Sequence, residues 1–203
     1  MILAMDCSTA ACTAALLDGD GALVAERHEE LGRGHAERLV PMVQELLGSH
    51  IPKQILVGVG PGSFTGLRVA IAAAQGMAIG WSVPLCGFDS LALLAAGAPG
   101  DGPLAVATLG GHGEWFVAAF DRPSLEVTRP VASLKPEEAA GKLSAPLVVG
   151  SAAEALVALR GTGEGLMLLP RASHVLRLPA ALRSLDPRPA YARAPDARPS
   201  IAA

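Results

Sequence analysis

The sequence predicts an α/β fold built from two related halves. Three observations carry this prediction. Apolar runs of strand length alternate with stretches of helical period, and a breaker cluster, Ala98-Pro99-Gly100-Asp101-Gly102-Pro103, interrupts the 203 residues near their middle. The order of elements after the cluster then begins to repeat the order before it. With 51% apolar residues, 23 Gly and 16 Pro, the chain lies below the composition at which disorder is the default. A chain of this length buries roughly 70% of its unfolded surface.

Ile2–Asp6 is a short apolar run that ends in an acid, and Ala14–Leu17 a second run that reaches Asp18-Gly19-Asp20-Gly21. The Asp-Gly pairs there signal a hairpin, which makes Ala22–Glu29 a third strand. Between Gly34 and Ser49 the period changes. Leu39, Val43, Leu46 and Leu47 form the stripe of an amphipathic helix that contains Pro41. Gln54–Val59 is a β-branched strand feeding Gly60-Pro61-Gly62-Ser63, and Ser63 is a natural N-cap for an Ala-rich helix from Phe64 to Gly80. Pro84–Phe88 reads as a strand, and Asp89 or Ser90 caps a helix through Ala96.

Past the breakers, Leu104–Leu109, Glu114–Phe120 and Leu125–Val131 are strands, Pro136–Leu143 a helix, Leu147–Gly150 a strand and Ser151–Arg160 a helix. A further helix is expected near Ser173–Leu185, ahead of a Pro/Arg-rich tail. The predicted division is therefore residues 1–98 and a smaller, degenerate 103–203.

A formal net charge of −3 excludes a chain that wraps nucleic acid by bulk charge. The sign is uneven, since six Arg stand against two Asp from Arg171 onward. That run is either a solvated face or a salt-dependent contact with RNA phosphates. Cys7, Cys12 and Cys86 form neither a C-x-x-C pair nor a metal cluster and are expected as small buried thiols. The first residues lack a basic signal-peptide region, and Val69–Trp81 is too short to span a bilayer. The expectation is a soluble, cytoplasmic protein with no membrane association.

Gly60-Pro61-Gly62-Ser63-Phe64-Thr65-Gly66-Leu67-Arg68 is the most informative stretch. It fits neither G-x-x-x-x-G-K-[ST] nor G-x-G-x-x-G. Two readings stay open. Gly60, Gly62, Ser63, Thr65 and Gly66 form either an anion site of free amides at a helix start or a turn needed for close helix–strand packing. The helix that follows is polar only at Arg68 and Gln75 between Leu67 and Gly80, so it is either enclosed by its own fold or covered by another protein. Asp6, Ser8 and Thr9 either face a phosphate-bound metal or cap a turn. His35 and Glu37 make the first part of an H-x-E-x-H pattern, but Leu39 holds the second histidine's place, and one His with one Glu does not close a metal site.

Ile2-Leu3-Ala4-Met5-Asp6-Cys7-Ser8-Thr9, His35-Ala36-Glu37-Arg38-Leu39-Val40-Pro41 and the Gly60–Arg68 block together resemble the bacterial TsaB (YeaZ) family, as does Pro189-Ala190-Tyr191-Ala192-Arg193. The resemblance implies an actin-like (ASKHA, ribonuclease-H-like) fold of two lobes, the second reduced. It also implies a non-catalytic scaffold role in adding the threonylcarbamoyl group to the adenosine next to the anticodon of tRNAs reading codons that begin with A. The implied partners are TsaD, the catalytic subunit, TsaE, an ATPase, and tRNA reached through the complex, with a homodimer when the chain is alone. No cofactor is expected on the isolated chain, and ATP or ADP is placed at the interface of the complex. His35, Met42, Phe64, Arg68 and Met77 are the implied partner-facing residues of a shared helix bundle. A glycoprotease-like metallopeptidase and a free-standing actin-like ATPase are the alternatives.

Overall fold

The computed structural model describes residues 1–192. Arg193, Arg198 and the rest of the predicted tail beyond residue 192 lie outside the described residues. The first half runs β1 (Ile2–Asp6), β2 (Ala11–Leu17), β3 (Leu23–Glu30), α1 (His35–Leu47), β4 (Gln54–Gly60), α2 (Phe64–Trp81), β5 (Leu85–Asp89) and α3 (Ser90–Gly97). The second half runs β6 (Gly102–Leu109), β7 (Trp115–Arg122), β8 (Glu126–Leu134), α4 (Pro136–Lys142), β9 (Leu147–Val149), α5 (Ala153–Arg160) and β10 (Glu164–Leu166). A 3-10 turn (Ala172–Arg177) and the short α6 (Ala180–Arg183) follow.

Each half forms one five-stranded sheet, and the two sheets have the same topology. The first has the order β3-β2-β1-β4-β5 and the second β8-β7-β6-β9-β10. In both, the first three strands form an antiparallel meander, and the last two join in parallel beside the first through a helix. This duplicated βββαβαβ plan is the actin-like fold. The second copy is reduced: α4 and α5 have 7 and 8 residues where α1 and α2 have 13 and 18, and β9 has 3 where β4 has 7.

Five layers result. α1 and α2 cover the outer face of the first sheet with Leu39, Val43, Leu46, Ile71 and Ala74, and α4 and α5 cover the outer face of the second with Ala139, Leu143 and Leu156. Between the sheets lies α3, whose residues Leu91 to Ala95 are all buried against Leu56 and Phe88 on one side and Val106 and Phe120 on the other. A helix apolar on every face must be enclosed in this way. Its N-cap is Asp89, whose Oδ1 accepts from the Ala92 amide at 2.8 Å.

The chain between the halves is held by one side chain. The Arg122 guanidinium donates to the carbonyls of Ala98, Pro99, Gly100, Asp101 and Gly102. The C-terminal segment then returns to the first half, where Leu185 and Gly87 exchange backbone hydrogen bonds of 2.9 and 2.7 Å at the edge of β5.

Two expectations are corrected here. The helix predicted over Ser173–Leu185 is instead a 3-10 turn and a four-residue helix, because Pro179 between them has no amide to continue the ladder. β10, a strand absent from the sequence reading, is only three residues long and carries no apolar period of its own. Cys7 and Cys12 are buried as expected, while Cys86 is only partly so.

The join between α2 and β1 leaves no room for a methyl group. A Cβ at Gly66 would lie 2.0 Å from the Cys7 carbonyl oxygen, a backbone atom that cannot swing aside. Gly66→Ala is expected to push α2 off the sheet and lower stability by about 1–3 kcal/mol, read as a reduced urea midpoint at unchanged m-value.

Candidate functional site

The turn Gly60-Pro61-Gly62-Ser63 carries the chain from β4 to α2, and its glycines are set by close approach. A Cβ at Gly62 would lie 2.2 Å from the Ser8 carbonyl oxygen. Three amides of the turn and of the helix start are engaged within the chain. The Ser63 amide donates to the Ser8 carbonyl at 2.7 Å, the Gly60 amide to Ser90 Oγ at 3.2 Å and the Gly66 amide to Ser63 Oγ at 3.2 Å. With the Gly60, Ser63 and Gly66 amides thus engaged, the turn works as a packing joint between β4, α2 and the segment after β1.

The Asp6 side chain is turned inward. It is fully buried, with Oδ1 accepting from the Ser8 amide at 2.8 Å and Ser8 Oγ at 2.6 Å, and Oδ2 from Ser90 Oγ at 2.6 Å. Gly58 makes room for it, since a Cβ there would sit 1.8 Å from Oδ2. Burial pushes the Asp6 carboxyl above its ordinary range against the opposing pull of the Ser8 and Ser90 hydrogen bonds.

Ser8 and Thr9 do reach a cleft between the halves. It has a volume of about 1080 Å³, and Phe64, Arg68, Phe116, His112, Ser151 and Tyr191 are among its walls. At its mouth the Arg68 guanidinium lies 3.6 Å from the Phe64 ring centroid and donates to the Tyr191 hydroxyl at 3.0 and 3.2 Å. The Phe64 and Tyr191 rings stack at 6.0 Å. Arg68 is thereby held over the Phe64 ring and against the Tyr191 hydroxyl, a cation–π contact on an exposed surface.

The expected partner-facing residues divide. Phe64 and Arg68 are exposed on α2, Phe64 by 57%. Met77 is half-buried against the first sheet's core. Met42 is fully buried with Cys12 Sγ 3.9 Å from its sulfur, and His35 is buried at the start of α1 with no hydrogen-bond partner for Nε2. Met42 and His35 therefore face this chain's own core, and their placement on a partner surface is corrected. What sequence reading missed is the register of α2 set by its Ser63 cap. With Phe64 and Arg68 outward, Ala72, Gln75, Gly76, Ile79 and Gly80 follow on the same face, and Ile79 is 80% exposed.

Among the described residues no group of three or more His, Cys, Asp or Glu is placed to hold a metal ion, and no helix is long and apolar enough to cross a membrane.

The family model for TsaD, tRNA N6-adenosine threonylcarbamoyltransferase, matches residues 27–141, more than half of the chain. The chain belongs to the TsaD family. Within it, the similarity runs to TsaB (YeaZ) proteins. The tRNA threonylcarbamoyladenosine biosynthesis protein TsaB of Escherichia coli K12 is 44% identical over 103 residues, 48% of this chain and 43% of the relative. That of Haemophilus influenzae is 38% identical over 103 residues, 48% of this chain and 42% of the relative. The match thus spans less than half the length of these curated relatives. YeaZ from Pseudomonas aeruginosa superposes with a TM-score of 0.77 at 28% identity, covering 94% of this chain and 98% of that one. A second Pseudomonas aeruginosa structure, of a protein described as similar to peptidase YEAZ, gives a TM-score of 0.80 at 29% identity over 95% and 99% of the two chains.

The buried carboxylate makes a graded prediction. Asp6→Ala strands three donors and is expected to cost about 1–3 kcal/mol, whereas Asp6→Asn keeps most partners and costs less. The raised folded-state value means that the native state binds the extra proton. Wild-type stability therefore falls as pH rises above the unfolded value near 3.9 and through the folded one. Urea titrations across this range are expected to show Asp6→Asn gaining on wild type with increasing pH.

Proposed function

We propose that the chain is a non-catalytic subunit of the assembly that adds the threonylcarbamoyl group to the adenosine next to the anticodon of tRNAs reading codons that begin with A. Its task in this reading is to hold a TsaD-type catalytic subunit. The observation that carries the proposal is the outward face of α2. Phe64, Ala72, Gly76, Ile79 and Gly80 make it apolar and low, and at Gly76 and Gly80 a Cβ would meet nothing within 4 Å. Small residues along one side let a partner helix approach closely, and burying Ile79 and Phe64 supplies the drive. Val40 and Pro41, exposed on the adjoining α1, widen the contact to two helices. The similarity to proteins named for tRNA threonylcarbamoyladenosine biosynthesis supports the pathway. In the same reading TsaE joins the assembled pair, ATP or ADP belongs at the joint interface, and the α2 face mediates a homodimer when TsaD is absent.

Light scattering after size exclusion tests this on the chain alone and mixed with TsaD from the same source. A mixed species is expected with wild type. Ile79→Asp, at a site whose exposure spares the fold, is expected to weaken it at least tenfold, about 1.4 kcal/mol, while Val127→Asp on β8 leaves it intact. Equal complex formation by all three would overturn the assignment to α2.

A further inference from the structure

A second cavity, of about 810 Å³, opens at the opposite end of β1 from the cleft, beside Ile2. The β2–β3 hairpin bounds it with Asp20 and Glu26, and the chain after β10 bounds it with Arg171, His174, Arg177 and Arg183. These arginines are 6 apart in sequence, and the 3-10 turn and α6 bring them to one hollow.

The charges in this hollow do not cancel. Arg171 is matched by Glu26, to which it donates at 2.6 and 3.2 Å, and Glu26 also accepts from Ser173 Oγ at 2.6 Å. Arg177 and Arg183 have only carbonyl partners: the Ala96 carbonyl at 3.1 Å and the Leu178 carbonyl at 2.9 Å. Neither pairs with a carboxylate among the described residues. Asp20, on the exposed hairpin, forms no ion pair with them. Burial and then the Arg177 charge hold His174 below the ordinary histidine range, so it adds no charge at neutral pH, and its Nδ1 is buried without a partner. Each of the two guanidiniums is anchored by a carbonyl, which orients the fork without neutralising it.

We infer that this cavity is a phosphate-binding site with Arg177 and Arg183 as its charged ligands. With Arg171 paired to Glu26, the two remaining guanidiniums outnumber Asp20 and leave the hollow net positive, and they offer the planar pairs of N–H donors that the oxygens of a phosphate group accept. The inference does not depend on what α2 binds. The phosphate belongs either to a small phosphorylated compound or to the backbone of an RNA, and the two sources separate experimentally.

Wild type, Arg177→Gln/Arg183→Gln, Arg177→Lys/Arg183→Lys and the surface control Arg129→Gln/Lys142→Gln are titrated with inorganic pyrophosphate by calorimetry and with labelled tRNA by anisotropy over a salt series. The glutamine pair is expected to lose at least tenfold in affinity, the lysine pair to keep most of it and the control to match wild type. If the single variants replace an unfolded pair, each is expected to lose part of the effect. Loss for pyrophosphate alone assigns the site to a small compound. Loss for tRNA, with the salt slope lowered by roughly 0.7–0.9 for one phosphate contact, assigns it to RNA. Failure of wild type to bind either probe, or equal losses in the glutamine pair and the control, would overturn the inference.

Discussion

The Asp6 carboxylate has no exposed surface, and the first half of the molecule is arranged around keeping it hydrogen-bonded. Ser8 binds it from the β1–β2 turn, Ser90 from the start of α3, and Gly58 of β4 leaves out the side chain that would occupy its place. An unpaired buried charge would cost several kcal/mol, so these three elements can sit in only one arrangement. The same Ser90 hydroxyl accepts from the Gly60 amide, and the Ser8 carbonyl accepts from the Ser63 amide. The carboxylate thereby fixes where α2 begins.

Fixing the start of α2 fixes its rotation, and rotation decides what the helix shows. Gly66 must face Cys7 at the end of β1 and Leu67 packs toward Gly60 of β4, so Phe64 and Arg68 face out, and the 18-residue length then carries Ala72, Gly76 and Ile79 along the same line. The second half has the same topology without such a surface. Its α5 is 8 residues long, too short to present more than two turns. The duplicated fold thus places its long, low, apolar helix face on the first half, while the second half closes the cleft and covers α3.

Much of this was legible in the sequence because its signals are local. The Ser63 cap, the Asp89 cap, the apolar stripe of α1 and the Asp-Gly hairpin each lie within a few residues of the structure they specify, and the order of elements exposed the duplication. The environment of Asp6 was not legible, since its deciding partner, Ser90, is 84 residues away. An acid after a strand looks the same whether it faces a ligand or a buried hydroxyl. Met42 and His35 were misplaced for a related reason: α1 has one apolar stripe, and the sequence does not say whether its edge turns to the sheet or to a partner. The packing of Met42 on Cys12 decides this, across a contact 30 residues long in sequence. The grouping of Arg171, Arg177 and Arg183 was visible only as a charge bias, because the turn at Pro179 that folds them together replaces the helix their spacing suggested.

The two proposed surfaces differ in position and in physics. The cleft and the start of α2 adjoin the Ser8 end of β1, and the basic cavity adjoins Ile2 at its other end. Five residues of strand separate them by about 17 Å, enough for a partner helix and a phosphate group to be held together without contact. The α2 face is apolar apart from Thr65, Arg68 and Gln75, so its association draws on buried area and is little affected by salt. The Arg177–Arg183 hollow acts through charge and weakens as salt rises. Ionic strength therefore separates the two contacts, and a phosphate-bearing ligand can join or leave at one end of the sheet while the other end keeps its partner.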